Sequence, residues 1–200
     1  MKLRWIVAFA FVSSIARGAE SARERTIEET LGGADVVRAI VEARTVKMWR
    51  LVERADPTSQ AGLSGKPMSE RTEDDWARDA AVQLRSVHET VGDGVKLDET
   101  KAIAFKKLLL AQASYTGPMF SGDGERLKKR CGFFPIIRAL FSTDDTEIEV
   151  WICFFCSDLA VLGKDRRLGG DDFKPISREL LALVQSVLKD DPVIIKIRAR

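Results

Sequence analysis

The chain has 200 residues, 45% of them hydrophobic, 31% charged and 8% aromatic. This composition suits a globular core and excludes disordered, collagen-like and coiled-coil chains, and three cysteines are too few for a disulfide-dense miniprotein. With 32 basic residues facing 30 acidic ones, no nucleic-acid partner is expected, and no apolar run is long enough to span a membrane.

At the N-terminus, Lys2 and Arg4 precede an apolar run over residues 5–12, and Ala16-Arg17-Gly18 follows with small residues at the −3 and −1 positions. A charged start, a short apolar region and a small-x-small end predict a secretory signal peptide over residues 1–18, leaving one α+β domain over 19–200. Removing Lys2, Arg4 and Arg17 from the 32 basic residues takes the formal charge from +2 to −1. The mature chain is therefore expected to be exported, with no membrane insertion after cleavage and no steering toward phosphate backbones or anionic lipid. Export also moves the cysteines to a compartment where disulfides persist.

Residues 20–43 carry Ile27, Leu31, Val36, Val37, Ile40 and Val41 at helical spacings, broken by Gly32-Gly33, which predicts two helices with the second capped near Ala34-Asp35. Alternation over 44–53 predicts a strand with Val46, Met48 and Val52 on one face and Lys47, Trp49 and Leu51 on the other. Residues 55–72, with three serines, two prolines and two glycines, read as a surface loop. A helix is expected over 73–91, its stripe including Trp76, Ala80, Leu84, Val87, His88 and Val91 and its end marked by Gly92-Asp93-Gly94. A short extended piece follows at Val95-Lys96-Leu97, and Asp98 is placed to cap a buried helix from Glu99 to about Ser114 that carries Ile103, Phe105, Leu108, Leu109 and Leu110.

A second loop covers 116–130 and ends in the basic cluster Arg126, Lys128, Lys129 and Arg130. Residues 133–141 and 147–155 predict a hairpin, with Ile148, Val150, Ile152 and Phe154 on one face and Glu147, Glu149, Trp151, Cys153 and Phe155 on the other; residues 159–162 extend the second strand. A polar turn over 166–172 leads to Pro175 and an amphipathic helix packing through Leu180, Leu183, Val184 and Val187. Pro192 ends it before an edge strand over 193–197. The expected architecture is α+β: an antiparallel sheet with a central hairpin, packed by amphipathic helices.

The chemical inventory is thin. There is one histidine, His88, and no asparagine, which removes N-linked glycosylation and any Cys-His-Asn triad. Gly62-Leu63-Ser64-Gly65-Lys66 fits neither a nucleophile elbow nor a phosphate loop, and Ser186-Val187-Leu188-Lys189 lies among core leucines. Asp144-Asp145 and Asp171-Asp172 read as turn and capping residues, and the basic cluster has no interleaved aromatic to stack on bases. No catalytic residue, metal site or cofactor is assigned. The cysteines remain, Cys131 and then Cys153-Phe154-Phe155-Cys156. Read as strand, the C-x-x-C pair points to opposite faces. If Asp144-Asp145 is a two-residue turn, Cys131 falls opposite Asp158, with Cys156 a diagonal neighbour and Cys153 roughly 16 Å from Asp158 along the strand. This register predicts a Cys131–Cys156 disulfide and leaves Cys153 as a free thiol. A zinc site would need His88 or an acidic residue such as Asp158 as its fourth ligand.

Gly94-Val95-Lys96-Leu97, the apolar helix after it, Tyr115, Lys129-Arg130-Cys131 and Ile152-Cys153-Phe154-Phe155-Cys156 occur in that order. The pattern resembles a group of uncharacterised exported bacterial proteins that share a V-x-x-[YW]-R-L strand, a Cys-Phe-x-Pro-x-His-like segment and an I-C-F-x-C segment. The resemblance runs from about Val46 to Leu188 and implies fold and export, with no activity attached. Where the group has histidine after the proline, this chain has Pro135-Ile136-Ile137-Arg138. The expectation is thus an exported, non-catalytic domain, a binding or envelope-associated module. The alternative is a thiol- or metal-dependent protein using Cys131, Cys153 and Cys156.

Overall fold

Alternating apolar residues pair six strands into one antiparallel sheet: β1 (Thr45–Glu53), β2 (His88–Lys96), β3 (Ile137–Ser142), β4 (Glu147–Cys153), β5 (Asp158–Leu162) and β6 (Arg167–Gly169), in the spatial order β2-β1-β3-β4-β5-β6. The computed structural model describes residues 25–55, 65–116 and 133–198. The predicted leader, the basic cluster and Cys131 lie outside the described residues. Among the described residues five helices accompany the sheet: α1 (Ile27–Leu31), α2 (Ala34–Glu42), α3 (Glu73–Val87), α4 (Glu99–Leu110) and α5 (Ser177–Val187). The fold is α+β. Among the described residues no helix is long and apolar enough to cross a membrane.

Period-two alternation assigns the two faces. Val46, Met48, Ala139, Phe141, Ile148, Val150, Ile152, Leu159 and Val161 point into the larger core, where they meet Leu31, Ile40, Phe105, Leu109, Leu180 and Val184 from α1, α2, α4 and α5. Phe105 stacks on Phe141 with ring centroids 5.4 Å apart. On the opposite face Leu51, Trp151, Ala160 and Leu162 pack against Ala81 and Leu84 of α3. The faces read from the hairpin pattern are those observed.

Local chemistry sets the helix ends. Thr26 and Glu29 close a capping box on α1, and Gly32 (φ 106°) turns the chain into α2. Thr72 and Asp75 do the same for α3, and the Thr72 amide, Lys66 and the Thr72 hydroxyl hold the Asp75 carboxyl well below the usual range. Asp98 caps α4 through the Lys101 amide at 2.8 Å.

Several expectations are corrected. The helix expected over 73–91 stops at Val87, because from His88 the backbone pairs with β1, His88 opposite Glu53 and Val91 opposite Arg50. Gly92-Asp93-Gly94 is a bulge inside β2 and does not terminate a helix: the β1–β2 register shifts between Met48 and Arg50, and a Cβ on Gly94 (φ +72°) would lie 2.4 Å from Trp49 Nε1. Residues 159–162 do not extend β4; the chain reverses after Cys153 and returns as β5. The edge strand expected over 193–197 is a 3₁₀ turn at Ile194–Lys196, because Asp191 accepts the Val193 and Ile194 amides and Gln185 donates to the Ile194 and Ile197 carbonyls. Ile103 is 58% exposed on the outer side of α4, and Leu183 is only partly buried.

Leu180 is fully buried between α5 and the sheet. Leu180→Ala is expected to cost about 2–5 kcal/mol, whereas Ile103→Ala should stay within about 0.5 kcal/mol. Urea unfolding midpoints of the two variants check this contrast.

Candidate thiol site

The C-x-x-C segment does not lie in one strand. Cys153 is the last residue of β4 and pairs with Asp158, the first of β5, so residues 154–157 form the connecting turn. Three ties hold that turn. Phe154 drops into the larger core with 2% exposure and meets Phe173 edge-on at 5.6 Å. The Phe173 amide donates to the Ser157 carbonyl at 2.8 Å. Ser157 takes the left-handed conformation (φ 53°) needed to re-enter the ladder.

Reversal of the chain brings the two sulfurs together. Cys156 Sγ donates to Cys153 Sγ at 3.1 Å. Cys153 is fully buried and Cys156 partly exposed. The flanking phenyl rings of Phe134 and Phe155 are 57% and 53% exposed.

The Cys153 sulfur is built to carry negative charge. The Cys156 thiol hydrogen bond lowers its pKa most; against the opposing effect of burial, the backbone amides of Cys156, Phe134 and Phe155 lower it further, to about 6 from an ordinary 9.0. Phe134 reaches the sulfur because the segment before β3 continues alongside β4, the Ile136 amide donating to the Ile152 carbonyl at 2.9 Å.

The premise that Cys153 faces away from Cys156 is therefore corrected: parity along a strand does not apply across a four-residue turn. The register behind it holds along the ladder, Ser142 pairing with Glu147 and Ile137 with Ile152. It does not run on to Asp158, since β4 has ended. Cys131, the partner expected for Cys156, lies outside the described residues. A tetrahedral zinc with thiolates at about 2.3 Å would hold two sulfurs about 3.8 Å apart. The observed 3.1 Å is shorter than that. Among the described residues no group of three or more His, Cys, Asp or Glu is arranged to hold a metal ion.

The other candidates resolve into structural roles. His88 begins β2; its Nδ1 lies 3.0 Å from the Leu84 carbonyl and its ring meets Trp151 edge-on at 5.8 Å. It forms part of the wall of an apolar cavity of about 360 Å³ with Leu84, Val87, Phe133 and Phe134, and of a polar cleft of about 430 Å³ with Arg85, Arg138 and Glu149. In that cleft Glu149 is saturated by Arg85, Arg138 and the Trp151 indole N–H at 2.7 Å. Asp144 pairs with Arg44. Asp171 accepts the Asp172 amide and pairs with Arg25, and Asp172 accepts the Lys174 amide, so this acidic pair ties a loop together. Lys66 pairs with Asp75, and Ser186 donates to the Leu183 carbonyl on the outer side of α5.

Sequence reasoning missed the Phe134 amide and the turn itself. The available signal was the polar Ser157-Asp158 step, which interrupts the apolar run on either side. No family model, curated protein or solved structure matches this chain.

In a Cys131→Ser chain, ultraviolet thiolate absorbance should show a transition near pH 6, and Cys156→Ala should move it upward by removing the largest stabilising contact. The folded chain lowers this pKa, so the contribution is fully present above about pH 9 and is lost as pH falls through about 6. Chemical unfolding across that window is expected to show stability rising with pH, less so without Cys156.

Proposed function

We propose that this chain is an exported α+β domain that carries out thiol–disulfide exchange through Cys153 and Cys156. One observation carries the reading: two cysteine sulfurs 3.1 Å apart, one of them receiving the other's thiol and three backbone amides. Exchange proceeds by attack of a thiolate on a disulfide sulfur, so it needs a stabilised thiolate and a second sulfur in reach. Closing the pair to a bond of about 2.05 Å asks for roughly 1 Å of approach, which a four-residue turn accommodates more readily than two positions on a flat strand. The leader supports the oxidising compartment in which such chemistry operates. His88 is not required, and neither is a cofactor.

The measurement is disulfide mapping of the mature chain after equilibration in glutathione buffers of graded ratio, with acid quenching and alkylation. A Cys153–Cys156 bridge that forms and reverts, and that persists in Cys131→Ser, is the expected result. A stable Cys131–Cys156 bridge with Cys153 always a thiol would return the protein to the non-catalytic reading. Stoichiometric zinc on the reduced chain would make the cysteines a metal site.

A further inference from the structure

The two sulfurs are unequal in a way that sets the direction of the chemistry. Cys153 is fully buried, whereas Cys156 is partly exposed and follows the exposed Phe155 in the chain. In the bridged state an incoming thiolate therefore has access to the Cys156 sulfur and none to Cys153. The sulfur that must leave is Cys153, and it leaves into a ready-made set of donors, the Cys156, Phe134 and Phe155 amides. Resting on the exchange reading above, we propose that the Cys153–Cys156 couple acts as an oxidant of substrate dithiols, with Cys156 the sulfur attacked and Cys153 the thiolate released.

The steps balance. A substrate thiolate attacks Cys156 Sγ; the substrate–Cys156 bond forms as the Cys153–Cys156 bond breaks, and the electron pair departs on Cys153. The substrate's second thiolate then attacks its own sulfur in the mixed disulfide, closing the substrate disulfide and releasing Cys156, which takes up a proton and donates it toward Cys153 as observed. Two electrons pass from the substrate dithiol to the protein disulfide. A low-molecular-weight disulfide restores the bridge.

Two physical effects push the same way. A leaving group with lowered basicity departs faster, and a couple whose reduced form is stabilised is the more oxidising one. The lowered pKa of the Cys153 thiol serves both. This division of labour separates the stabilised thiolate from the accessible sulfur. The substrate class is a pair of thiols on one molecule, and an extended polypeptide suits it, since the exposed Phe155 next to Cys156, and the exposed Phe134 whose backbone amide reaches Cys153, offer apolar contact to an unfolded chain.

The test uses the full mature Cys131→Ser chain, oxidised to the Cys153–Cys156 bridge, so that the buried site keeps its native residues. Incubated with an unstructured peptide holding two cysteines, the bridge should be lost as peptide disulfide appears, one for one. With a single-cysteine peptide and rapid acid quenching, mapping should place the adduct on Cys156, about tenfold or more over Cys153. Dithiothreitol in place of the peptide separates the source of the thiols: reduction by it alone, with the peptide inert, overturns the polypeptide substrate. An adduct on Cys153, or a bridge that neither dithiol reduces, overturns the proposed direction. Failure of the bridge to form at all refutes the exchange reading instead.

Discussion

Antiparallel pairing of β4 with β3 on one side and β5 on the other is the constraint on which the rest of the molecule depends. β4 supplies Ile148, Val150 and Ile152 to the larger core and Trp151 to the smaller one, so both layers of helices are referenced to it. Its end at Cys153 is set by the same ladder, because pairing with Asp158 forces the chain to reverse within residues 154–157. The thiol pair is a consequence of that reversal. It rests on rigid strands at both ends, and Phe154 anchors its turn in the core against Phe173. A catalytic or binding pair held this way needs little reorganisation when it reacts.

The second face shows how polar groups are accommodated beside such a site. Arg138 lies over the Trp49 ring at 5.0 Å and pairs with Glu149, which also receives Arg85 and the Trp151 indole. Arg85 continues to the Gly163 and Lys164 carbonyls, fastening α3 to the turn between β5 and β6. Charges of both signs are thus used against each other, a partly buried network that positions α3. His88 fits the same description: its ring nitrogen is engaged by the Leu84 carbonyl and its ring lies perpendicular to that of Trp151. What distinguishes Cys153 is that a neighbouring thiol and three backbone amides are directed at one atom.

Close backbone approach explains several glycines that read as breakers. A Cβ on Gly169 would fall 2.5 Å from the Leu31 carbonyl carbon, where β6 runs against α1 and the Gly170 amide donates to Thr30. Gly94 lets the Trp49 indole sit against β2. In each case the residue is selected by a neighbour distant in sequence, which is why local reasoning took Gly92-Asp93-Gly94 for a helix stop.

Hydrophobic periodicity and capping chemistry by themselves determined the α+β class, α1, α2 and α4, the β3–β4 hairpin with its register and faces, and the buried face of α5 centred on Leu180 and Val184. These follow from interactions within a few residues or across a short turn, where spacing alone decides which side chains share a face. Tertiary structure decided the rest. Residues 88–91 continue a helical stripe but joined a strand because the edge of β1 offered partners for their backbone groups. Residues 193–197 look like a strand but found Asp191 and Gln185 instead of a free sheet edge. Cys153 and Cys156 stood in the sequence as a recognisable spacing, yet their meaning depended on whether the chain between them was straight or turned. That choice was made by the pairing of β5, the burial of Phe154 and the arrival of the Phe134 amide, all of them non-local contacts that residue spacing does not encode.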